Sequence, residues 1–304
     1  MGHPLTLVDF MEMYRTEDAC REAIFEHRWQ EGFRCPRCDY ARAWYLRGRG
    51  LFQCASCGYQ ASVTAGTAFH KTRTDLRKWM LAIWMLASMK KPPSAAELSR
   101  QLGVTGKTAW LMRRKITHAM RRGEHELMLR GIVEFDESLI GGHERGSANR
   151  GRASRRKTLV AVSAEQTPDG GMGRAHLRVI DDASAKTLSA AARQAIQLGS
   201  TVKTDGWRSY RALPGAGYGH EPHEQPSPHA AGELLPWSHI VISNFKRWQL
   251  DVFHGVSAEH LQSYLDEFCY RLNRRGERLD LFRRILNRCV LHTPPITYSQ
   301  LIAA

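Results

Sequence analysis

"IVEFDESLIGG", Ile132 to Gly142, is a short apolar run that carries acids and closes on a glycine pair. Its length and β-branched content read as a strand, and it marks where the texture of the chain changes. "KTLVAVSAE" (157–165) and "AHLRVIDD" (175–182) are two further strand-like runs, "SAKTLSAAARQAI" (184–196) has helical apolar spacing, and "STVKTDGWRSY" (200–210) supplies another strand. Three strands, a helix, a strand and then further helices imply an α/β layered domain with a mixed sheet. Asp136 and Asp205 each end a short apolar strand next to glycine, where a carboxylate can leave the sheet edge and meet its partner. Two such carboxylates sharing hard cations suit a pair of Mg²⁺ or Mn²⁺ ions, one serving the attacking oxygen and one the leaving oxygen. Glu137 adjoins Asp136, but alternation turns it to the opposite face; Asp181 and Asp182 read as a loop or the cap of the next helix.

Upstream, "CPRCDYARAWYLRGRGLFQCASC" places Cys35 and Cys38 two residues apart and Cys54 and Cys57 likewise, with fifteen residues between the pairs. Each pair can form a knuckle that aims two sulfurs at one tetrahedral Zn²⁺, and the intervening length suits a β-hairpin. Four thiolates leave no open coordination position, so the zinc is structural. Arg34, Arg37, Arg42, Arg47 and Arg49, interleaved with Trp44, Tyr45 and Phe52, offer a basic and aromatic face to a phosphate backbone. "LVDFMEMYRTEDACREAIFEHRW" (7–29) has helical spacing and is expected to pack on this ribbon.

Between these parts, "DLRKWMLAIWMLASM" (75–89) reads as a buried helix that "KKPP" breaks. In "SAAELSRQLGVTGKTAWLMRRKI" (94–116), Ser94 and Glu97 form a capping box, Gly103 offers a positive-φ turn, and Thr105 caps a second helix running to about His118. Two short helices joined by a glycine turn outline a helix-turn-helix. The second is expected to present Lys107, Thr108, Arg113, Arg114 and Lys115 to solvent for DNA.

The whole chain of 304 residues exceeds ordinary single-domain size and carries a net charge of +14 with a pI near 9.8, which favours a polyanionic partner, nucleic acid first. The longest apolar run, Trp79 to Met89, is too short for a bilayer, so a soluble, cytoplasmic and nucleoid-associated protein is expected. An odd count of seven cysteines, four in tight pairs, suits metal ligation in a reducing compartment; Cys20, Cys269 and Cys289 read as buried small hydrophobes.

"CPRC", "CASC", "FDESLIGG", "TDGWRSY", "SNFKRW" and "HGVSAEHLQSYLDEFCYRLNRR", in this order from about Thr16 to Arg275, resemble the bacterial insertion-sequence transposases with an N-terminal zinc ribbon and a ribonuclease-H-like catalytic domain, here of the ISXO2-like kind. The resemblance makes Asp136 and Asp205 the first two catalytic carboxylates. It expects a third metal-binding residue on a later helix, usually glutamate, with lysine or arginine seven positions on. In "LPWSHIVISNFKRW" (235–248) that position is His239, and Lys246 follows it by seven, which returns to nearly the same helical face. The resemblance implies histidine on a metal and lysine on a DNA phosphate; Asn244 and Glu267 are rivals for the third ligand, although Asp266 and Glu267 are expected on a solvated helix flank. Imidazole is softer than carboxylate and uncharged, so Mn²⁺ should support activity better than Mg²⁺.

The expected plan is therefore helices and zinc ribbon over 1–69, helix-turn-helix over 70–128, catalytic domain over 129–295 and a tail over 296–304. The implied activity is metal-dependent cleavage at the element's ends and joining to target DNA by a homo-oligomer on double-stranded DNA. The alternative is a catalytically inactive DNA-binding regulator. "HERGSANRGRASRRK" (143–157) reads as a flexible DNA clamp, "YRLNRRGERLDLFRR" (270–284) as a mixture of packing and phosphate contacts, and 214–233, with His220, His223 and His229, as a surface loop.

Overall fold

The computed structural model describes residues 6–121, 127–141, 157–223, 234–253, 258–277 and 280–303. The residues fall into two compact units, one of Met1–Arg122 with Gly276–Ala304 and one of Gly123–Arg275. The third domain expected from sequence ran on to 295, whereas residues from Gly276 group with the first unit. The apolar face of the helix at Leu281–Asn287 explains this, since its Phe282 stacks edge-on against Phe10 at 5.7 Å and lies 5.5 Å from Tyr14.

In the first unit, helices α1 (Leu7–Met13) and α2 (Glu17–Arg28) precede a three-stranded antiparallel sheet of β1 (Ala43–Leu46), β2 (Leu51–Cys54) and β3 (Gln60–Ala61). Thr6 and Thr16 cap the two helices by accepting the amides of Asp9 and Ala19. Among the described residues, α2 packs on the ribbon through Phe25 against Phe52 at 4.5 Å, while Phe10 of α1 meets Trp84 of α3 (Leu76–Ser88). Helices α4 (Ala95–Leu102) and α5 (Gly106–Arg121) follow. Gly103 takes the left-handed conformation between them at φ 58°, as the turn requires. Ser94 accepts the Glu97 amide, but the Glu97 carboxylate turns to Arg100 and Gln101, so only half of the capping box forms.

The second unit is a mixed sheet in the order β6-β5-β4-β7-β8: β4 (Ile132–Gly141), β5 (Lys157–Gln166), β6 (Met172–Val179), β7 (Thr201–Thr204) and β8 (Gly219–Pro222). The first three strands are antiparallel neighbours; β7 is parallel to β4 and β8 to β7. The edge strand β8 corrects the surface-loop reading of that stretch, and His220 within it pairs with Thr204 at 2.9 Å. Residues 143–156, most of the expected clamp, lie outside the described residues, as does His229.

Alternation along β4 sorts its side chains. Val133 and Phe135 join the core beneath α6 (Ala185–Ala195), with Leu188, Ala192 and Tyr210. Ile140 joins the opposite core with Val241 and Phe245 of α7 (Pro236–Phe253) and Leu265 of α8 (Ala258–Leu272). No helix among the described residues is long and apolar enough to cross a membrane.

Candidate active site and metal centre

Asp136 lies in the middle of the ten-residue β4 and not at a strand end as expected, on the face that looks toward α7. Asp136 Oδ2 lies 3.8 Å from His239 Nε2 in the first turns of α7. Two residues further along the same face, Ser138 Oγ accepts from Lys246 Nζ at 3.1 Å. His239 and Lys246 thus meet successive positions on one face of one strand, which is what a spacing of seven on a helix permits. Glu134 pairs with Lys203 across β4 and β7, so two residues on Asp136 comes level with Asp205 just past the end of β7.

Local bonds set each carboxylate. Asp136 Oδ1 accepts the Glu137 amide at 2.8 Å, and Asp205 Oδ1 accepts the Trp207 amide at 3.0 Å. Burial, together with the negative charges of Glu137, Asp205 and Glu134, pushes the Asp136 carboxyl up to about 7. A concentration of negative charge that resists ionisation is a setting a divalent cation would relieve, so the residues fit the ion the family implies. Burial and the ammonium of Lys246 lower the His239 pKa, which keeps the imidazole neutral and its lone pair free for a metal. Desolvation and the neighbouring Lys157 also lower the Lys246 pKa, against the opposing pull of Asp136.

Asp136, Asp205 and His239 do not close into a tight cluster. Among the described residues, only Cys35, Cys38, Cys54 and Cys57 gather ligand atoms that all lie within 4.8 Å of one another. Cys35 to Cys57 and Cys38 to Cys54 are each 3.6 Å between sulfurs, close to the edge of about 3.8 Å that Zn–S bonds of about 2.3 Å set in a tetrahedron. Cys20, Cys269 and Cys289 are buried, as apolar thiols would be.

Two expectations fail. Arg113, Arg114 and Lys115 are only 3%, 5% and 7% exposed and are not presented to solvent. Arg113 Nε donates to Pro93 O at 3.1 Å, Arg114 to Leu301 O at 3.3 Å, and Lys115 Nζ to Ala68 O at 3.0 Å. They anchor loops and the last helix to α5, because buried carbonyls need donors. Lys107 remains exposed over the ring of Tyr298 at 4.8 Å, and Thr108 is half-buried with its hydroxyl 2.9 Å from that of Thr105. Asp266 and Glu267 are buried rather than on a solvated flank, since α8 is enclosed from Leu265 through Tyr270 and Gln262 Nε2 donates to Asp266 at 2.8 Å. Asn244 is exposed on α7.

Sequence reasoning passed over three neighbours of these residues. Glu134 and Ser138 flank Asp136 at spacing two, a signal that was available. Tyr210, fully buried, donates its hydroxyl to Glu137 Oε2 on the opposite face and so ties the segment after Asp205 to β4; nothing in its sequence context marked that bond.

The chain matches the transposase zinc-ribbon domain over residues 15–60 and the ISXO2-like transposase domain over residues 128–273. It is 24% identical over 215 residues to the "uncharacterized protein in transposable element ISH50" of Halobacterium salinarum, covering 67% of this chain and 72% of that one. Among solved structures, a Mos1 transposase paired-end complex with left transposon end aligns over 66% of this chain and 77% of its own, at 15% identity and a TM-score of 0.24, too low to carry an argument. With cysteine knuckles ahead of a mixed-sheet domain, and both domain models matched in that order, the chain belongs to the insertion-sequence transposases of the ISXO2-like kind.

Proposed function

We propose that the protein binds the ends of its insertion sequence, hydrolyses a phosphodiester there and joins the freed 3′-hydroxyl to target DNA, using Asp136, Asp205, His239 and Lys246 in a ribonuclease-H-like domain. The observation that carries this reading is the placement of Asp136 beside His239 Nε2, level with Asp205 at the end of the neighbouring parallel strand. Asp136, Asp205 and His239 would hold Mg²⁺ or Mn²⁺, which when bound supplies Lewis acidity to the phosphate and its attacking oxygen. The neutral imidazole contributes a lone pair without adding charge, and the Glu137 and Trp207 amides fix the rotamers of the two aspartates. Lys246, resting on Ser138, is set to take a phosphate oxygen of the strand entering over α7.

The ribbon supplies a second contribution. Cys35, Cys38, Cys54 and Cys57 would hold a structural Zn²⁺, and around them Arg34, Arg37, Arg42, Arg47 and Arg49 are exposed with Trp44, which is 67% exposed. Such a surface suits sequence-independent phosphate contacts with base stacking. Lys107 and Thr108 at the start of α5 are the remaining helix-turn-helix contacts with DNA. Pairing two ends requires more than one copy, so a homo-oligomer forms on DNA.

The test is a joining assay with labelled end DNA and a plasmid target, in Mn²⁺ and in Mg²⁺. Joined products from the wild type that vanish in Asp205→Ala and His239→Ala support the reading. Joining that survives His239→Ala assigns the third role elsewhere, and bound DNA with no cleavage in either metal favours an inactive regulator.

A further inference from the structure

Glu134 lies on the same β4 face as Asp136 and Ser138, two residues before the aspartate, and is only 3% exposed. Its Oε2 accepts the backbone amide of Ser238 at 2.8 Å, across 104 residues of sequence. Ser238 is the third residue of α7, so its amide is one of those a helix start leaves without a partner inside the helix. The Ser238 hydroxyl donates to Leu235 O at 3.0 Å, and the Glu134 carboxylate also meets this hydroxyl and the Trp237 amide. His239 is the very next residue, and its own amide donates to Leu235 O at 3.2 Å. The strand that presents Asp136 therefore also grips the helix one residue ahead of the histidine facing that aspartate.

Burying a carboxylate among apolar side chains is costly, and a sequence keeps one there only where its hydrogen bonds matter. A carboxylate at a helix start gains from the helix dipole as well as from the amide. Groups that orient metal ligands matter to affinity almost as much as the ligands do.

We infer that Glu134 is a positioning residue that anchors the first turn of α7 and thereby sets His239 against Asp136 for the catalytic cation. The inference rests on His239 being a metal ligand, as proposed above. It assigns Glu134 no ligand role of its own, because its carboxylate is engaged with the helix.

The experiment is Mn²⁺ binding followed by electron paramagnetic resonance on the full chain, with Glu134→Ala, Glu134→Gln, His239→Ala and the Glu134→Ala/His239→Ala pair. Glu134→Ala is expected to weaken Mn²⁺ binding by about tenfold. Glu134→Gln keeps an acceptor for the Ser238 amide and should stay within about twofold of wild type. In the His239→Ala background, adding Glu134→Ala should change nothing further, because the anchor acts through the imidazole. An equal loss with or without His239, or a loss in Glu134→Gln as large as in Glu134→Ala, would overturn the inference, the latter showing that charge rather than anchorage matters. Hydrogen exchange at residues 238–241 tests the anchor without any metal: it should speed up in Glu134→Ala and stay near wild type in Glu134→Gln, and unchanged exchange in Glu134→Ala would also overturn it. If Asp136→Ala binds Mn²⁺ as wild type does, the metal-site reading itself is wrong, a failure that the exchange data keep separate from that of the anchor.

Discussion

At the scale of single residues, the proposed chemistry turns on His239. It stands where relatives of this kind are expected to have glutamate, 3.8 Å from Asp136 and held neutral by burial and by Lys246. Replacing it by glutamate returns a third negative ligand and makes the site harder, so His239→Glu should retain joining while shifting its preference from Mn²⁺ toward Mg²⁺ by about tenfold. The ratio of joining rates at matched low concentrations of the two metals measures this; a ratio unchanged from wild type would mean that residue 239 does not touch the ion. Asp136, Asp205, His239 and Lys246 were candidates from the order of the motifs, and the structure brings Asp136 to His239 and Lys246 to Ser138. Spacing two put Glu134 on the face of Asp136, but the bonds of Glu134 and Tyr210 were not legible, because their partners, Ser238 and Glu137, lie 104 and 73 residues away and only folding brings them together.

Among elements, α5 shows how a charge pattern misleads. Helical phase gave Arg113, Arg114 and Lys115 to solvent, but α5 is buried from Met112 through Thr117, and the three cations turn their heads to carbonyls of Pro93, Leu301 and Ala68. Periodicity reads which side of a helix is apolar, and a long basic side chain satisfies that pattern while lying inside. Arg113→Ala should therefore lower stability by about 2 kcal/mol through unsatisfied buried carbonyls, while the salt dependence of DNA binding by the folded variant stays unchanged. Urea unfolding and a salt titration check the two halves; a reduced salt slope would restore Arg113 to the DNA surface.

The β5–β6 pair carries a different kind of element-level device. Near the bulge between Ala164 and Gln166, Arg174 meets both oxygens of Glu165 at 3.2 Å, and the amides of Arg130 and Arg174 donate to them as well. Burial raises the Glu165 pKa, but these bonds outweigh it and hold the carboxyl below its ordinary 4.5. A depressed folded pKa means that the contribution is complete above the unfolded value and is lost as pH falls through the folded one. Glu165→Gln should therefore cost about 1–2 kcal/mol near neutral pH, and the gap from wild type should close as pH drops below about 4.5. Unfolding midpoints across that range read it directly; a gap independent of pH would assign the effect to packing. Nothing in "AEQ" or "GRA" announced this pair, since the register that joins them is set by the bulge. The strand β8 was hidden for a related reason, its four residues GHEP having no apolar alternation to read.

At the scale of the molecule, the chain joins a cysteine-stapled ribbon to a mixed-sheet domain under a net charge of +14. The ribbon's core is small, with Phe33, Ala61 and the two knuckle cysteines Cys35 and Cys54 buried beside Phe25, Trp29 and Phe52. So small a core depends on its metal. One zinc per chain is expected by elemental analysis, and Cys38→Ser should fall well below that while speeding hydrogen exchange across β1 and β2. Full zinc content in Cys38→Ser would contradict a four-cysteine site.

The most direct test of the central claim is anomalous scattering at the manganese edge from crystals of the protein with its element-end DNA. A manganese peak within bonding distance of Asp136, Asp205 and His239 Nε2 is the predicted result. A peak bound at Asp136 without His239, or none at Asp136 in crystals grown where Mn²⁺ supports joining in solution, would contradict the account.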